Sequence, residues 1–138
     1  MPIALAQLNP LVGDLEGNAQ ALLRAALQAH GAAAAGSSAD DRLLVVTPEL
    51  SLWGYPPRDL LLRPRLIAQQ HAVLDQLAAE LGRQLPAAGV LVGIAEPTGS
   101  DELPNLHNAL ALVERGRWQV IYRKQLLPSY DVFDERRY

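Results

Sequence analysis

Two charged residues stand where apolar runs end, and they are the first candidates for chemistry. Glu49 follows the β-branched run Leu43–Val46, within Thr47-Pro48-Glu49-Leu50-Ser51-Leu52-Trp53-Gly54-Tyr55-Pro56-Pro57-Arg58-Asp59-Leu60. An acid directly after a buried strand loses solvation, which raises its pKa towards that of a general base. Lys124, the only lysine, leaves the run Trp118–Tyr122 in the same way and opens Lys124-Gln125-Leu126-Leu127-Pro128-Ser129-Tyr130-Asp131-Val132-Phe133-Asp134-Glu135-Arg136-Arg137-Tyr138. Taken singly, each has a plainer reading. An acid there is more often a cap or a solvated loop residue, a lone lysine is an exposed charge, and Asp134-Glu135-Arg136-Arg137 is a self-neutralising cluster. The joint pattern changes the balance, because each strand-end charge is followed six residues later by a tyrosine, Tyr55 and Tyr130.

The elements that must position these residues follow from periodicity and punctuation. Ile3–Leu8 alternates loosely and predicts a buried first strand. Asn18 is the expected N-cap of a helix through Gln28 or His30, with Leu22, Leu23, Ala26 and Leu27 on one face. Gly31–Asp41 reads as a frayed end and loop. Leu43–Val46 predicts a fully buried strand stopped by Pro48. From Arg65 to Leu85 the residues Ile67, Leu74, Leu77 and Leu81 recur at helical spacing, with Pro64 at the start. Val90–Ala95 predicts a third strand. Leu110–Val113 and Trp118–Tyr122 flank Glu114-Arg115-Gly116-Arg117, a hairpin signal. The order β-α-β-α-β-β-β calls for crossover connections, hence an α/β layered sheet, with both candidates at strand ends where open sheets gather their sites.

Composition narrows the function classes. With 138 residues, 49% hydrophobic, the chain has the material for one buried core. A net charge of −3 with scattered Lys and Arg gives no footprint for nucleic acid or an anionic membrane. No signal peptide or apolar run of the roughly 20 residues needed to span a bilayer is evident, so a cytoplasmic location is expected. His30, His71 and His107 show no ligand spacing, and no metal site is expected. The absence of Cys excludes disulfides and thiol catalysis from within these residues.

The stretches Gln7-Leu8-Asn9-Pro10-Leu11-Val12-Gly13-Asp14, PELSLWGYPPRDLL and RKQLLPSYDVFDERRY together resemble the nitrilase (carbon–nitrogen hydrolase) superfamily along the whole chain. GYPPRDLL and LPSYDVFDERRY are most similar to the glutaminase domains of glutamine-dependent NAD⁺ synthetases. The resemblance implies an α/β chain, the first half of a nitrilase-type α-β-β-α sandwich, with residues 1–138 a partial glutaminase domain. It implies Glu49 as the base for a Cys thiol, Lys124 as the cation that stabilises the oxyanion, and Glu135 as a second acid orienting the lysine. Tyr55, Tyr130 and Phe133 match residues lining a pocket for L-glutamine. No cofactor is implied for these residues; ATP and Mg would belong to a separate synthetase domain that amidates nicotinic acid adenine dinucleotide, in an enzyme that generally forms homo-oligomers.

The departure is the missing Cys, which in the superfamily lies on a later strand. These residues alone are therefore expected to be inactive, with an incomplete sheet and poor independent stability. Two other readings share the motifs: another nitrilase-branch amidase of ω-amidase or carbamoylase type, and an inactive binding or assembly protein.

Overall fold

The computed structural model describes residues 1–34, 42–102, 105–129 and 135–137. Five strands form one sheet in the order β1 (Ile3–Leu5), β2 (Leu43–Val46), β3 (Ala88–Pro97), β4 (Leu106–Glu114) and β5 (Arg117–Arg123). The first three are parallel, joined by crossovers that contain α1 (Leu15–Ala34) and α2 (Pro64–Gln84); β3, β4 and β5 are antiparallel. The expected order is thus the observed one, with 3₁₀ turns added at Arg58–Leu62 and Glu135–Arg137.

The local reasons are visible in the sequence. Pro64 starts α2 at a position that needs no N–H, and Ile67, Leu74, Leu77 and Leu81 bury one stripe against the sheet. Arg115 and Gly116 both take positive φ, 52° and 75°, which is the two-residue hairpin geometry between β4 and β5. Alternation then divides the sheet into two faces. Leu43, Val45, Val90, Val92, Ala109, Ala111 and Val113 are buried against the helices with Leu22, Ala26, Leu74 and Leu77.

The other face carries no helix among the described residues. Register places Ile3, Leu5, Leu44, Val46, Leu91, Leu110 and Leu112 along it, all at least partly exposed. This corrects two expectations. The first strand is short and is not buried, with Ile3 and Leu5 61% and 80% exposed, because β1 is an edge strand with one bare face. For the same reason β2 is only half buried, alternating between the two faces.

A third correction concerns Asn18. The helix begins earlier, with Asp14 Oδ1 accepting the Gly17 N–H at 2.9 Å. Asn18 lies inside α1 and is buried, where its side chain bonds the Leu11 N–H, the Leu11 carbonyl and the Leu52 carbonyl at 2.8–3.0 Å. It staples the loop after β1 to the turn after β2 instead of capping a helix. The helix also continues through Ala34, beyond the expected fraying point.

Candidate active site

The turn after β2 is built to continue along β3, whose upper half has no parallel neighbour beyond Leu91. A hydroxyl chain does the pairing. The Gly93 N–H donates to Ser51 Oγ at 3.0 Å, Ser51 meets Thr47 Oγ1 at 2.7 Å, and Thr47 donates to the Leu91 carbonyl at 2.7 Å. The Leu52 N–H reaches the Gly93 carbonyl at 3.2 Å. Further along, the Gln70 amide acts as a strand residue would. It accepts from the Ala95 N–H at 2.9 Å, donates to the Ala95 carbonyl at 2.7 Å, and accepts from Trp53 Nε1 at 2.6 Å. Gly93 is required here, since a Cβ would run into the backbone nitrogen of Leu50. Leu50 itself is held at φ 46°, an unusual conformation for a leucine that this network maintains.

Glu49 emerges from that turn onto the bare face of the sheet. The expected burial is absent: its side chain is 45% exposed, because the turn buries Leu50, Ser51, Leu52 and Trp53 and leaves Glu49 at the rim. Lys124 arrives from the opposite direction. Simple alternation would set Lys124 on the helix side with Trp118 and Val120, which pair with Val113 and Ala111. A bulge at Ile121 changes the parity, so that Tyr122 pairs with Leu110 and the Lys124 N–H bonds the Asn108 carbonyl at 2.8 Å. Arg123 then points to the helix side, where Glu96 holds it through two bonds of 2.5 and 2.7 Å.

The result is a meeting of three distant segments. Lys124 Nζ lies 2.6 Å from Glu49 Oε1, and 3.1 and 3.2 Å from the two oxygens of Glu135. Tyr55, whose peptide bond to Pro56 is cis, donates to Glu135 Oε1 at 2.8 Å. Asn108, in β4, donates to Glu49 Oε1 at 2.6 Å and to Glu135 Oε2 at 3.4 Å. Among the described residues no donor meets Glu49 Oε2.

Partial burial disfavours the charge on Lys124, yet the hydrogen bonds and charges of Glu49 and Glu135 outweigh it and raise its pKa above the ordinary lysine value. The group is an ammonium throughout the neutral range. Beside it, Tyr55, Pro56, Leu60, Leu106, Asn108 and Glu135 help line a cavity of about 580 Å³.

Of the residues singled out in the sequence, Glu49, Lys124, Glu135 and Tyr55 therefore converge. Tyr130 and Phe133 lie outside the described residues. Asn108 escaped the sequence reading, as did Gln70. A signal for Gln70 exists, since it occupies the buried stripe of α2 between Ile67 and Leu74. Asn108 gives only a weak one, a polar residue just before the apolar run Ala109–Val113.

No protein-family model matches the chain. Over 99% of its length it is 43% identical to a glutamine-dependent NAD(+) synthetase from Synechocystis, and equally identical to one from Thermotoga maritima. It spans only 23% and 21% of those relatives. The structure of a glutamine-dependent NAD⁺ synthetase from Acinetobacter baumannii, in complex with adenosine diphosphate, superposes with a TM-score of 0.70 and 32% identity, covering 96% of this chain and 22% of that one. An amidase from Nesterenkonia matches at a TM-score of 0.64 over 99% of this chain and 46% of its own, at 20% identity, a likeness of fold alone. The sheet and helices are therefore those of the nitrilase-type fold, in the part that glutamine-dependent NAD⁺ synthetases share with this chain.

Proposed function

We infer that this chain, homologous along its whole length to the amino-terminal part of glutamine-dependent NAD⁺ synthetases, is the first part of such an enzyme's glutaminase domain. In this reading the enzyme hydrolyses L-glutamine and passes the ammonia to a separate ATP-using part, which amidates nicotinic acid adenine dinucleotide to NAD⁺. The observation that carries the reading is the convergence of Glu49, Lys124 and Glu135 within 2.6–3.2 Å from three separate segments.

The chemistry follows from the residue types. A thiol from outside these 138 residues, which contain no Cys, would be presented to Glu49. Oε1 of Glu49 is engaged by Lys124 and Asn108, so Oε2 is the oxygen suited to receive the S–H proton. The thiolate attacks the side-chain amide carbon of glutamine, and the C=O π pair moves to oxygen. Lys124 supplies positive charge where that oxyanion develops, and Glu135 keeps the ammonium aimed. Collapse breaks the C–N bond, and the proton held by Glu49 goes to the departing nitrogen as ammonia leaves. Water, deprotonated by the same carboxylate, then hydrolyses the thioester to glutamate and restores the thiol.

Tyr55 would wall the glutamine pocket, joined through the family resemblance by Tyr130 and Phe133. ATP and Mg would be held elsewhere in the enzyme; among the described residues no cluster of His, Asp or Glu could hold a metal ion. The bare apolar sheet face would receive the second sheet of the sandwich. The isolated 138 residues would be inactive for want of the nucleophile. Among the described residues no helix is long and apolar enough to cross a membrane; a cytoplasmic homo-oligomer fits this reading.

The test uses the full-length enzyme with two nitrogen donors. Glu49→Gln and Lys124→Ala should each lower glutamine-driven synthesis by about 10²–10³-fold or more, while ammonia-driven synthesis persists. Equal loss with both donors would count against a glutaminase site here.

A further inference from the structure

We propose that Asn108 is a positioning residue for the acid pair, holding Glu49 and Glu135 around Lys124 so that one oxygen of Glu49 remains open to the nucleophile's proton. The inference rests on the glutaminase reading of Glu49 and Lys124 and extends it to a residue outside the acid–lysine set.

Two carboxylates share one ammonium in this cluster, which leaves an excess negative charge on a partly buried sheet face. Like charges this close drive one acid to take up a proton or to swing away, unless neutral donors intervene. Two do intervene. Tyr55 donates to Glu135, and the Asn108 amide reaches both acids, at 2.6 Å to Glu49 Oε1 and 3.4 Å to Glu135 Oε2. Its orientation is fixed by chemistry, because ionised carboxylates only accept and an amide carbonyl turned towards them would repel. The main-chain carbonyl of Asn108 accepts the main-chain N–H of Lys124 at 2.8 Å. One residue thereby sets the lysine's backbone and both acids' side chains.

The location argues against a passive role. Asn is disfavoured in strands, and its next neighbours on this face of β4 are Leu110 and Leu112. The titratable groups nearest the pair are Lys124 and Tyr55. Glu96 is tied to Arg123 on the opposite side of the sheet, His107 borders the cavity that Glu135 and Asn108 also line, and Asp59 pairs with Arg137 beyond Glu135.

Three variants of the full-length enzyme separate the possibilities. Asn108→Leu keeps the size and removes the donor, Asn108→Asp replaces it with a third carboxylate, and Asn108→Gln keeps an amide. Asn108→Leu should lower kcat with glutamine about ten- to hundredfold, the worth of a hydrogen bond to a charged group. The KM for glutamine should stay near its original value, and ammonia-driven synthesis should be retained. Asn108→Asp should lose more, while Asn108→Gln recovers part of the rate. An unchanged kcat in Asn108→Leu would overturn the proposal, as would a rise in KM alone or an equal loss with both nitrogen donors. If Glu49→Gln kept its glutamine-driven rate, the glutaminase reading itself would fail; if Glu49→Gln were inactive and Asn108→Leu normal, only the role of Asn108 would fall.

Discussion

The two walls of the site are held in different ways. The turn after β2 is frozen in place: Ser51, Leu52 and Trp53 are fully buried, and the Ser51 hydroxyl and the Trp53 indole N–H are hydrogen-bonded to β3, to Thr47 or to Gln70. Among the described residues, the segment after β5 shows no such ladder. Leu126 is exposed, and Glu135 is held by one main-chain bond, from its N–H to the Pro128 carbonyl at 3.2 Å, and otherwise through the side chains of Tyr55, Lys124 and Asn108, with Arg137 paired to an exposed Asp59. One wall stores its geometry in packing and can present Glu49 before any partner arrives. The other gains its geometry from the charges it brings to that wall. Preorganisation of this kind is asymmetric, and substitutions on the two sides should fail differently.

The largest effects belong to the packed wall. Trp53→Ala removes a fully buried indole and one of the three hydrogen bonds of the Gln70 amide, which should cost about 3–5 kcal/mol of local stability. Gln70→Leu should approach that, at about 1–3 kcal/mol for each buried group left without a partner, namely the Trp53 N–H and the Ala95 backbone. Hydrogen exchange at residues 47–54 and 91–95 in the full-length enzyme reads both. Protection unchanged in either variant would mean that the turn is held by something other than this network.

Lys124→Met sharpens the contrast. Its ion pairs are partly exposed, so their loss should alter stability by no more than about 1 kcal/mol. Glutamine turnover, in contrast, should fall as in the alanine variant. A drop in thermal stability as large as that of Trp53→Ala would show that the charged wall carries structure as well as chemistry.

Most of the fold was legible because it rests on local rules: the α2 stripe, Pro64, the Arg115–Gly116 turn and the β-branched strands each act within a few residues. The errors arose where distant partners decide. Burial of Glu49 and of β1 was expected from neighbours in sequence, but exposure depends on which sheet face lacks a covering layer. Asn18 looked like a cap because caps and loop staples use the same side chain, and only the position of Leu52 tells them apart. The convergence of Glu49 with Lys124 depends on the bulge at Ile121, and nothing in the alternation of Trp118–Arg123 marks it. Asn108 was missed for the same reason, since its partners are contributed by the turn after β2 and the segment near Glu135.

Weaker still is the exposed tether between Asp59 and Arg137, 3.2 Å apart. Arg137→Ala should change stability by less than about 1 kcal/mol and glutamine turnover by only a few-fold. An effect rivalling Lys124→Met would make this pair a determinant of where Glu135 sits.

The smallest expected effect is a null in pH. In the full-length enzyme, reductive ¹³C-methylation with Lys124→Arg as the assignment control lets NMR follow the titration of Lys124. Its pKa in the fold is raised by Glu49 and Glu135, against the opposing pull of burial. A raised pKa means that the fold favours the charged form. That contribution is fully present below the ordinary lysine value near 10.5 and is lost only as pH rises through the folded value. Between about pH 6 and pH 9 this lysine should therefore impart no pH dependence to stability. In Glu135→Gln the titration should move back down, because one of the two carboxylates is gone. A lysine titrating below 10.5 in the unsubstituted chain would mean that burial wins over the two acids, and the charged wall would then need another cation to hold it.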